Sequence, residues 1–323
     1  MAAESAVETA ASDALARWSR KQARETAAFA ALSDLLTGEA ALDGVVLAEC
    51  LRIAEDRTVF LAHLDGAPLV IKHFTGADGI ARAAQVHQEL TSRYAIMGSG
   101  LLQVCEPKLF LPQKPLTFRA YQAGERLDTI LQNAIPAARA QKLRQAGQWL
   151  DLYTSDSRKT AGFGPWKWIK RIAPQRGTPF APLLNRLKAR LREQAPHLMG
   201  KPVQVARTHG DFAALNLICD GPVMTGIDIE NRHELAVTKD LARFLAQAQS
   251  YRRPQGGWLP NPDLDAILEG FGPLPEFDRG PVLRFFYGVE LGRRLMGSQG
   301  TEAETENLAS ALRSYVNFQT DSR

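Results

Sequence analysis

Residues 208–216 read THGDFAALN, and residues 227–230 read IDIE. The two segments place an acid at Asp211, an amide five residues later at Asn216, and a second acid twelve residues further on at Asp228. Phosphoryl transfer from a metal nucleotide uses these groups. One carboxylate orients or accepts the proton of the attacking hydroxyl, while the amide oxygen and the other carboxylate hold Mg²⁺. The pattern therefore predicts Asp211 as the catalytic residue and Asn216 and Asp228 as metal ligands.

Taken alone, the His-Gly-Asp triplet is equally typical of an ordinary turn, because glycine allows a positive φ and aspartate bonds nearby backbone amides. The residues that follow favour the first interpretation. Residues 217–219 and 224–227 read as short strands, and Asp220-Gly221 between them is a turn signal. Such a hairpin would carry Asn216 and Asp228 to the same end, where both could reach one metal ion.

Protein kinases write the first segment as H-R-D-x-x-x-x-N, and Gly210 stands here in place of the arginine. With that glycine and the Ile-Asp-Ile-Glu ending, the chain resembles the aminoglycoside phosphotransferase and choline kinase-like family of small-molecule kinases. The resemblance covers roughly residues 45–250 and is specific only near residues 209–230. It implies an α+β, protein kinase-like two-lobed fold, with a small antiparallel β-sheet N-lobe and a larger, mostly helical C-lobe. It also implies ATP and Mg²⁺ as cofactors.

Three regions are expected along the chain. Residues 1–40 form a helical extension, residues 41–121 a nucleotide-binding N-lobe, and residues 122–323 a C-lobe with the catalytic loop and the acceptor site. In the extension, apolar residues form a stripe that predicts packing on the chain's own domain, with a partner-binding helix as the alternative. The stripe consists of Trp18, Phe29, Leu32, Leu35 and Leu36.

The N-lobe pattern predicts strands at residues 49–54, 58–64, 68–74, 101–111 and 116–121, and a helix at residues 80–97. Lys72 lies in the third strand, and Glu89 lies seventeen residues later in the helix. In kinase-like folds such a pair positions the α- and β-phosphates of the nucleotide. The alternative is a strand-edge lysine and a solvated glutamate.

After the strand that ends at Tyr121, the segment from Gln122 to Leu127 resembles the family's connection between lobes, where backbone groups bind adenine. Tyr121 and Gln122 are the candidates for that backbone, with a register uncertain by a residue or two. No glycine occurs between Glu49 and Val59, where protein kinases carry a glycine-rich loop. We expect the turn at residues 55–58 to supply backbone N–H groups instead.

Other residues near the motif have supporting or open roles. His209 is expected to brace the loop, and Asp240 matches a family position that anchors it. Glu230 could assist a second metal, bind substrate or be a solvated charge. A C-lobe core helix is predicted at residues 137–154, with Leu143, Ala146, Leu150 and Tyr153 inward, and a proline- and glycine-rich break at residues 253–262.

Composition sets the wider limits. The 323 residues are 45% apolar and 23% charged with a net charge of +4, which is typical of a globular protein and does not indicate a nucleic-acid partner. Three scattered cysteines exclude a disulfide framework, and no stretch near 18 apolar residues or secretion signal is present. A cytoplasmic location is expected, contact with a membrane surface stays open, and oligomeric state is not indicated.

The predicted function is transfer of the ATP γ-phosphate to a hydroxyl of a small molecule or sugar. Bases at residues 166–171 and at Arg176, Arg186, Lys188, Arg190 and Arg192 suggest an anionic or lipid-linked saccharide. The alternative is that these basic residues belong to an ordinary helical surface whose tryptophans pack inward. Competing functions are a catalytically silent nucleotide-binding or regulatory protein and, less favoured, transfer to a protein side chain or of a nucleotidyl group.

Overall fold

The computed structural model describes residues 2–174, 177–251, 261–298 and 300–318, with side chains described from residue 18 onward. The chain divides into two compact units. Unit 1 consists of Met1–Tyr94 and Cys105–Gln122, and unit 2 of Ala95–Val104 and Ala123–Arg323. The chain thus passes between the units three times, after Tyr94, after Val104 and after Gln122, and the ten residues Ala95–Val104 belong to unit 2.

The helices and strands are, in chain order, α1 (Ala2–Leu36), β1 (Val45–Ile53), β2 (Arg57–Leu64), β3 (Ala67–Phe74), α2 (Gly79–Met97), β4 (Leu102–Val104), β5 (Pro107–Phe110), β6 (Leu116–Ala120), β7 (Glu125–Arg126), α3 (Leu127–Asn133), α4 (Pro136–Thr154), β8 (Lys159–Gly162), α5 (Trp166–Ile169), α6 (Ala181–Leu198), β9 (Pro202–Arg207), β10 (Leu217–Asp220), β11 (Val223–Gly226), β12 (Glu234–Ala236), α7 (Val237–Ala248), α8 (Pro262–Phe271), α9 (Leu283–Met296) and α10 (Glu302–Asn317). The break predicted at residues 253–262 falls mostly on residues outside the described ranges, and α8 begins at its end.

Unit 1 is built on an antiparallel sheet with strand order β1-β2-β3-β6-β5. The hairpin between β2 and β3 turns at Asp65 and Gly66, which both have positive φ, as the sequence predicts. One face of the sheet buries Phe60 and Ile71 beneath α1. Because strand side chains alternate between faces, Lys72 lies on the opposite face.

Helix α1 packs on its own unit, which confirms the predicted role of most of the apolar stripe. Leu32 is fully buried, and the Phe29 ring meets the Phe60 ring edge-on at 5.1 Å. Trp18 is different, because 59% of its surface is exposed. The expectation that Trp18 belongs to the stripe was wrong, since the packed part of the helix begins near residue 28.

The strand predicted at residues 101–111 is in fact two strands in two sheets. β4 pairs in parallel with β11 inside unit 2, whereas β5 pairs with β6 inside unit 1. Pro107, which begins β5, has no N–H to donate to a neighbouring strand, so the strand pairing of β4 does not continue through it. Apolar periodicity alone did not reveal this switch.

Unit 2 places two small sheets among helices. Their strand orders are β4-β11-β10-β7 and β12-β9-β8. Helix α4 is a core helix as predicted, and its four inward positions, Leu143, Ala146, Leu150 and Tyr153, are fully buried. Trp149 on the same helix is also fully buried and stacks on Phe212 at 5.7 Å, so α4 supports the segment that carries Asp211.

No helix among the described residues combines the length and the apolar character that a membrane crossing requires.

Candidate active site

The candidate active site in unit 2 is a loop between two strands. We call residues 208–216, between β9 and β10, the catalytic loop. β10 and β11 form the predicted antiparallel hairpin, with Leu217 opposite Gly226. Immediately beyond that pair, the Ile227 N–H donates to the Asn216 carbonyl at 2.9 Å. Asn216 and Asp228 therefore lie at the same end of the hairpin.

Buried hydrogen bonds fix the start of the catalytic loop. His209 Nε2 donates to the Ile227 carbonyl at 3.0 Å, which confirms its predicted bracing role. The Gly210 N–H donates to Asp240 Oδ2 at 2.9 Å, and Lys239 Nζ donates to the Gly210 carbonyl at 2.9 Å. Asp240 is fully buried, so it anchors the loop as expected. Both polar groups of the Gly210 backbone are thus held by α7.

Gly210 is required by its surroundings. Its φ is +78°, a conformation that L side chains rarely adopt. A Cβ there would also lie 2.8 Å from the Asn231 side chain. Asn231 cannot easily move, because its Nδ2 donates to the Thr208 carbonyl at 2.7 Å. The positive φ and the close contact with Asn231 therefore explain why glycine occupies the position where protein kinases carry arginine.

Asn216 and Asp228, the predicted metal ligands, carry oxygen atoms of the kind that a hard cation binds. Asn216 is almost fully buried, and its Nδ2 donates to the Asp211 carbonyl at 2.9 Å, which leaves the amide oxygen as the coordinating group. Asp228 has a φ of +61°, an unusual backbone for a non-glycine residue and one that often marks functional sites. Within the described residues no cluster of three or more His, Cys, Asp or Glu side chains could hold a metal. Two oxygen donors fit Mg²⁺ only if phosphates and water complete its shell, as is usual for this ion.

The Asp211 carboxylate is held by an arginine that the sequence motif does not predict. Arg243 on α7 forms a close ion pair with Asp211 Oδ1 through Nη2. Its Nη1 lies 3.4 Å from Oε2 of the fully buried Glu290 on α9. Burial lowers the pKa of Arg243, but Asp211 and Glu290 outweigh it and the net pKa is raised. Half of the Asp211 side-chain surface stays exposed, so the carboxylate is positioned yet open to a ligand.

A weak signal for Arg243 exists in the sequence. It lies three residues after Asp240 on α7, and residues at this helical spacing share a face. Since Asp240 holds the catalytic loop, a residue one turn further along the helix is placed to reach it. Glu290 offers no comparable signal, because it is 47 residues from Arg243 in sequence.

In unit 1, the residues predicted to position nucleotide phosphates are buried. Lys72 on β3 is only 5% exposed and pairs with Val59 of β2 and Thr117 of β6 in the sheet. Glu89 on α2 is equally buried, and its Oε1 accepts a hydrogen bond from Arg93 Nε at 3.1 Å. A solvated strand-edge lysine and a solvated helix glutamate are therefore excluded. The pairing of the two stays a prediction.

Tyr121 and Gln122 follow β6 at the end of unit 1. The Tyr121 N–H donates to the Pro68 carbonyl at a long 3.4 Å, and the side chain is 44% exposed. The connection is thus held to β3 by one weak backbone bond. Its predicted role in adenine binding stays a prediction.

The turn between β1 and β2, which we call the phosphate turn (residues 54–57), is fixed by a surface ion pair. Arg82 Nη1 of α2 lies 2.5 Å from Asp56 Oδ2, and this contact, more than any other, lowers the pKa of the carboxyl. The Thr75 N–H donates to the Asp56 carbonyl at 3.0 Å. The turn is short, and its two exposed residues, Glu55 and Asp56, both carry carboxylates.

The basic segments predicted to bind an acceptor divide into two classes. On α6, Leu184, Leu187 and Leu191 are buried, and the basic residues lie on the other side of the helix. Arg186, for example, donates to Asn317 Oδ1 at 2.6 Å. On α5, Trp168 is buried under the Arg171 guanidinium, 4.4 Å from its ring centroid, whereas Trp166 is 42% exposed. The α6 bases thus form an ordinary helical surface, and Arg176 lies outside the described residues.

No protein-family model and no curated protein sequence matches the chain. Solved structures do match. The aminoglycoside phosphotransferase APH(4)-Ia is 17% identical, with a TM-score of 0.55 over 85% of this chain and 94% of that chain. A microcompartment-associated aminopropanol kinase is 14% identical, with a TM-score of 0.57 over 85% and 91%. An amicoumacin kinase is 13% identical, with a TM-score of 0.57 over 92% and 95%.

The chain has the fold of these kinases. The predicted protein kinase-like, two-lobed α+β fold is thereby confirmed, with the small antiparallel sheet of unit 1 and the mostly helical unit 2. The resemblance carried by residues 209–230 is confirmed at the level of the fold. The activity is argued below from the site itself, because one fold serves several chemistries.

Proposed function

We propose that the protein is an ATP-dependent phosphotransferase that moves the γ-phosphate of ATP to a hydroxyl group of a small molecule or sugar. The placement of Asn216 and Asp228 at one end of a hairpin, next to a loop that holds Asp211, carries this proposal. The structural neighbours support it, since they include kinases of aminopropanol and amicoumacin.

The nucleotide and metal follow from the same residues. The amicoumacin kinase was solved with AMP-PNP and Ca²⁺, and an APH(4)-Ia variant was solved with ADP and hygromycin B. In this chain Asn216 and Asp228 would hold Mg²⁺, which neutralises charge on the transferred phosphate when bound. Lys72 and Glu89 would position the nucleotide phosphates, and the backbone at Tyr121 and Gln122 would bind adenine.

Asp211 acts on the acceptor. Its Oδ1 is held by Arg243, so Oδ2 is the oxygen that takes the hydrogen bond from the acceptor hydroxyl. As the hydroxyl oxygen bonds to the γ-phosphorus, the bond from that phosphorus to the β–γ bridging oxygen breaks, ADP leaves, and the proton passes to Oδ2. Because the transition state of phosphoryl transfer is loose, most of the contribution of Asp211 is positioning.

A catalytically silent nucleotide-binding protein is the second candidate. The phosphate turn favours it, because the turn lacks glycine and carries Asp56, whose negative charge would face phosphate oxygens unless Arg82 keeps it paired. Magnesium-dependent formation of ADP and of a phosphorylated acceptor separates the two functions.

Thermal unfolding with ATP, with Mg²⁺ and with both tests the metal–nucleotide site. At about a hundred times Kd, the ligand should stabilise the native state by roughly 2.7 kcal/mol, a shift of a few degrees in Tm. We expect a shift that requires both ligands and is lost in Asp228→Ala. Asp220→Ala, at the opposite end of the same hairpin and exposed, is the matched control and should keep the shift. No shift in the wild type under any condition would rule out the proposed nucleotide site.

A further inference from the structure

A charged cluster between α7 and α9 lies beside Asp211 and contains more positive than negative groups. Glu290 is fully buried, and its carboxylate forms ion pairs with two arginines, Arg243 at 3.4 Å and Arg293 at 3.0 Å. Arg243 in turn holds Asp211. These contacts use both carboxylates of the cluster for two guanidinium groups.

Arg294 is the third guanidinium of the cluster. It lies one helical turn after Glu290 on α9 and is partly buried. Its Nε is fully buried without a hydrogen-bond partner, and Arg294 forms no ion pair with any side chain of the described ranges. Glu290, one turn earlier on the same helix, contacts Arg243, and Arg243 holds Asp211, so this end of α9 belongs to the same cluster as the proposed catalytic carboxylate.

The surroundings of Arg294 make its charge costly. Burial, and after it the neighbouring Arg243, lower its pKa to about 10, so the group is still protonated at neutral pH. The buried Nε lacks a hydrogen-bond partner, which is unfavourable for a cationic group, and Arg294 is only partly buried, so a ligand can supply the opposite charge from the solvent side. A cation of this kind beside the proposed catalytic carboxylate indicates a ligand-binding position.

We propose that Arg294, in the cluster that also contains Arg243, binds a phosphate or carboxylate group of the acceptor, so that the substrate is an anionic alcohol. The inference rests on the proposed function, because it places the acceptor hydroxyl at Asp211. A guanidinium matches both anions with two parallel hydrogen bonds, which also orients the molecule. An amino alcohol such as aminopropanol carries a positive charge, and Arg294 would repel it.

This position differs from the basic segments that suggested an anionic acceptor in the sequence. The α6 bases lie away from the buried face of their helix, and Arg186 has a partner of its own. Arg243 instead lies on α7, which holds the catalytic loop and Asp211, and Arg294 lies on α9, whose Glu290 contacts Arg243. The acceptor anion is therefore assigned to the α7–α9 cluster.

Matched acceptors test the proposal by turnover. Glycerol is compared with glycerol 3-phosphate, glucose with glucose 6-phosphate, and both sets with aminopropanol. We expect ADP formation with the anionic member of a pair, and Arg294→Gln should raise its KM by roughly tenfold to a hundredfold. The KM for ATP should stay unchanged, Arg294→Lys should recover part of the loss, and Arg279→Gln, which removes an exposed arginine before α9, should have no effect.

Binding of inorganic phosphate without nucleotide tests the same site independently of turnover. Phosphate should raise the Tm of the wild type and of Asp228→Ala but not that of Arg294→Gln. Without ligand, Arg294→Gln should be at least as stable as the wild type, because it removes a costly charge. That comparison separates lost binding from failed folding.

The outcomes are distinct. If ATP with Mg²⁺ gives no shift while phosphate still binds through Arg294, the proposed function fails and the anion site stands. If ATP with Mg²⁺ gives a shift but phosphate does not, and neutral or cationic acceptors are preferred, the anion site is wrong and the kinase proposal stands. A rise in the KM for ATP alone in Arg294→Gln would assign this arginine to the nucleotide and also overturn the proposal.

Discussion

The catalytic loop and the phosphate turn are both expected to meet phosphate groups, yet they are held in opposite ways. In the loop, the buried Asp240 and Lys239 hold the N–H and the carbonyl of Gly210, and the buried His209 donates to the Ile227 carbonyl. In the turn, the principal side-chain anchor is the ion pair between Asp56 and Arg82, and the Asp56 side chain is 48% exposed. The two regions lie in different units of the chain.

The difference follows from what each region must do. The loop carries the proposed metal ligand Asn216 and the proposed acceptor-orienting carboxylate of Asp211, which can act only at fixed separations, and it is held by contacts that are costly to break. A turn that covers phosphates works through backbone N–H groups, and an exposed ion pair worth about 0.2–1 kcal/mol leaves it free to adjust. Substitutions in the loop should therefore cost far more than substitutions in the turn.

The largest contrast is expected in catalysis. Asp211→Asn removes the proton acceptor and should lower turnover by about 10²–10⁴-fold, while binding of ATP with Mg²⁺ is kept. Arg57→Gln in the phosphate turn should change turnover by no more than a few fold, because the turn is expected to act through backbone N–H groups, which this substitution keeps. Initial rates of ADP formation, with the thermal shift as the binding control, measure both. Equal losses of turnover in the two variants would show that a substitution in the loop is no more costly than one in the turn.

A smaller effect is expected in stability at the loop backbone. Gly210→Ala must accept both a positive φ and a Cβ 2.8 Å from Asn231, and should lower the free energy of unfolding by about 2–4 kcal/mol. The control is Gly221→Ala in the β10–β11 turn, where φ is +56° but no atom lies within 4 Å of the new Cβ.

Because both changes reduce the entropy of the unfolded chain equally, their difference isolates the contact with Asn231. The control should cost about 1–2 kcal/mol. Urea unfolding at equilibrium gives both values. If the two variants lost the same stability, Asn231 would not restrain the loop.

The parts of the site that the sequence predicted are those encoded by local patterns. The hairpin that joins Asn216 to Asp228 follows from turn residues and short apolar runs. The support from α4 follows from its apolar face. The roles of His209 and Asp240 were assigned through a family resemblance, and the hydrogen bonds found in the structure agree with them.

Contacts between distant segments were not predictable in the same way. Glu290 reaches Arg243 across two packed helices, and no periodicity connects them. The strand predicted at residues 101–111 was wrong because pairing partners in two different sheets decided its ends. Trp18 was assigned to an apolar stripe by spacing alone, although the packed part of α1 begins ten residues later. In each case tertiary pairing outweighed the local pattern.

The smallest expected effect is a dependence of stability on pH, and it tests how weakly the phosphate turn is anchored. Arg82 lowers the pKa of Asp56 below the ordinary value of 3.8, so the charged carboxylate is favoured in the folded state. The stabilisation is therefore fully present above the ordinary pKa and is lost as pH falls through the lowered pKa of the folded state. For a pair this exposed we expect about 0.2–1 kcal/mol near pH 7.

Arg82→Gln should accordingly be slightly less stable than the wild type near neutral pH, and the difference should shrink at an acidic pH below the lowered pKa of the Asp56 carboxyl. Urea titrations of both proteins at the two pH values measure it, with Lys108→Gln as a control that removes an exposed cation from the same unit without touching the turn. A difference above about 2 kcal/mol at neutral pH would exceed what an exposed pair supplies. The turn would then be anchored as firmly as the catalytic loop, and the silent nucleotide-binding function would gain support, because a rigid turn carrying a carboxylate could not adjust to nucleotide phosphates.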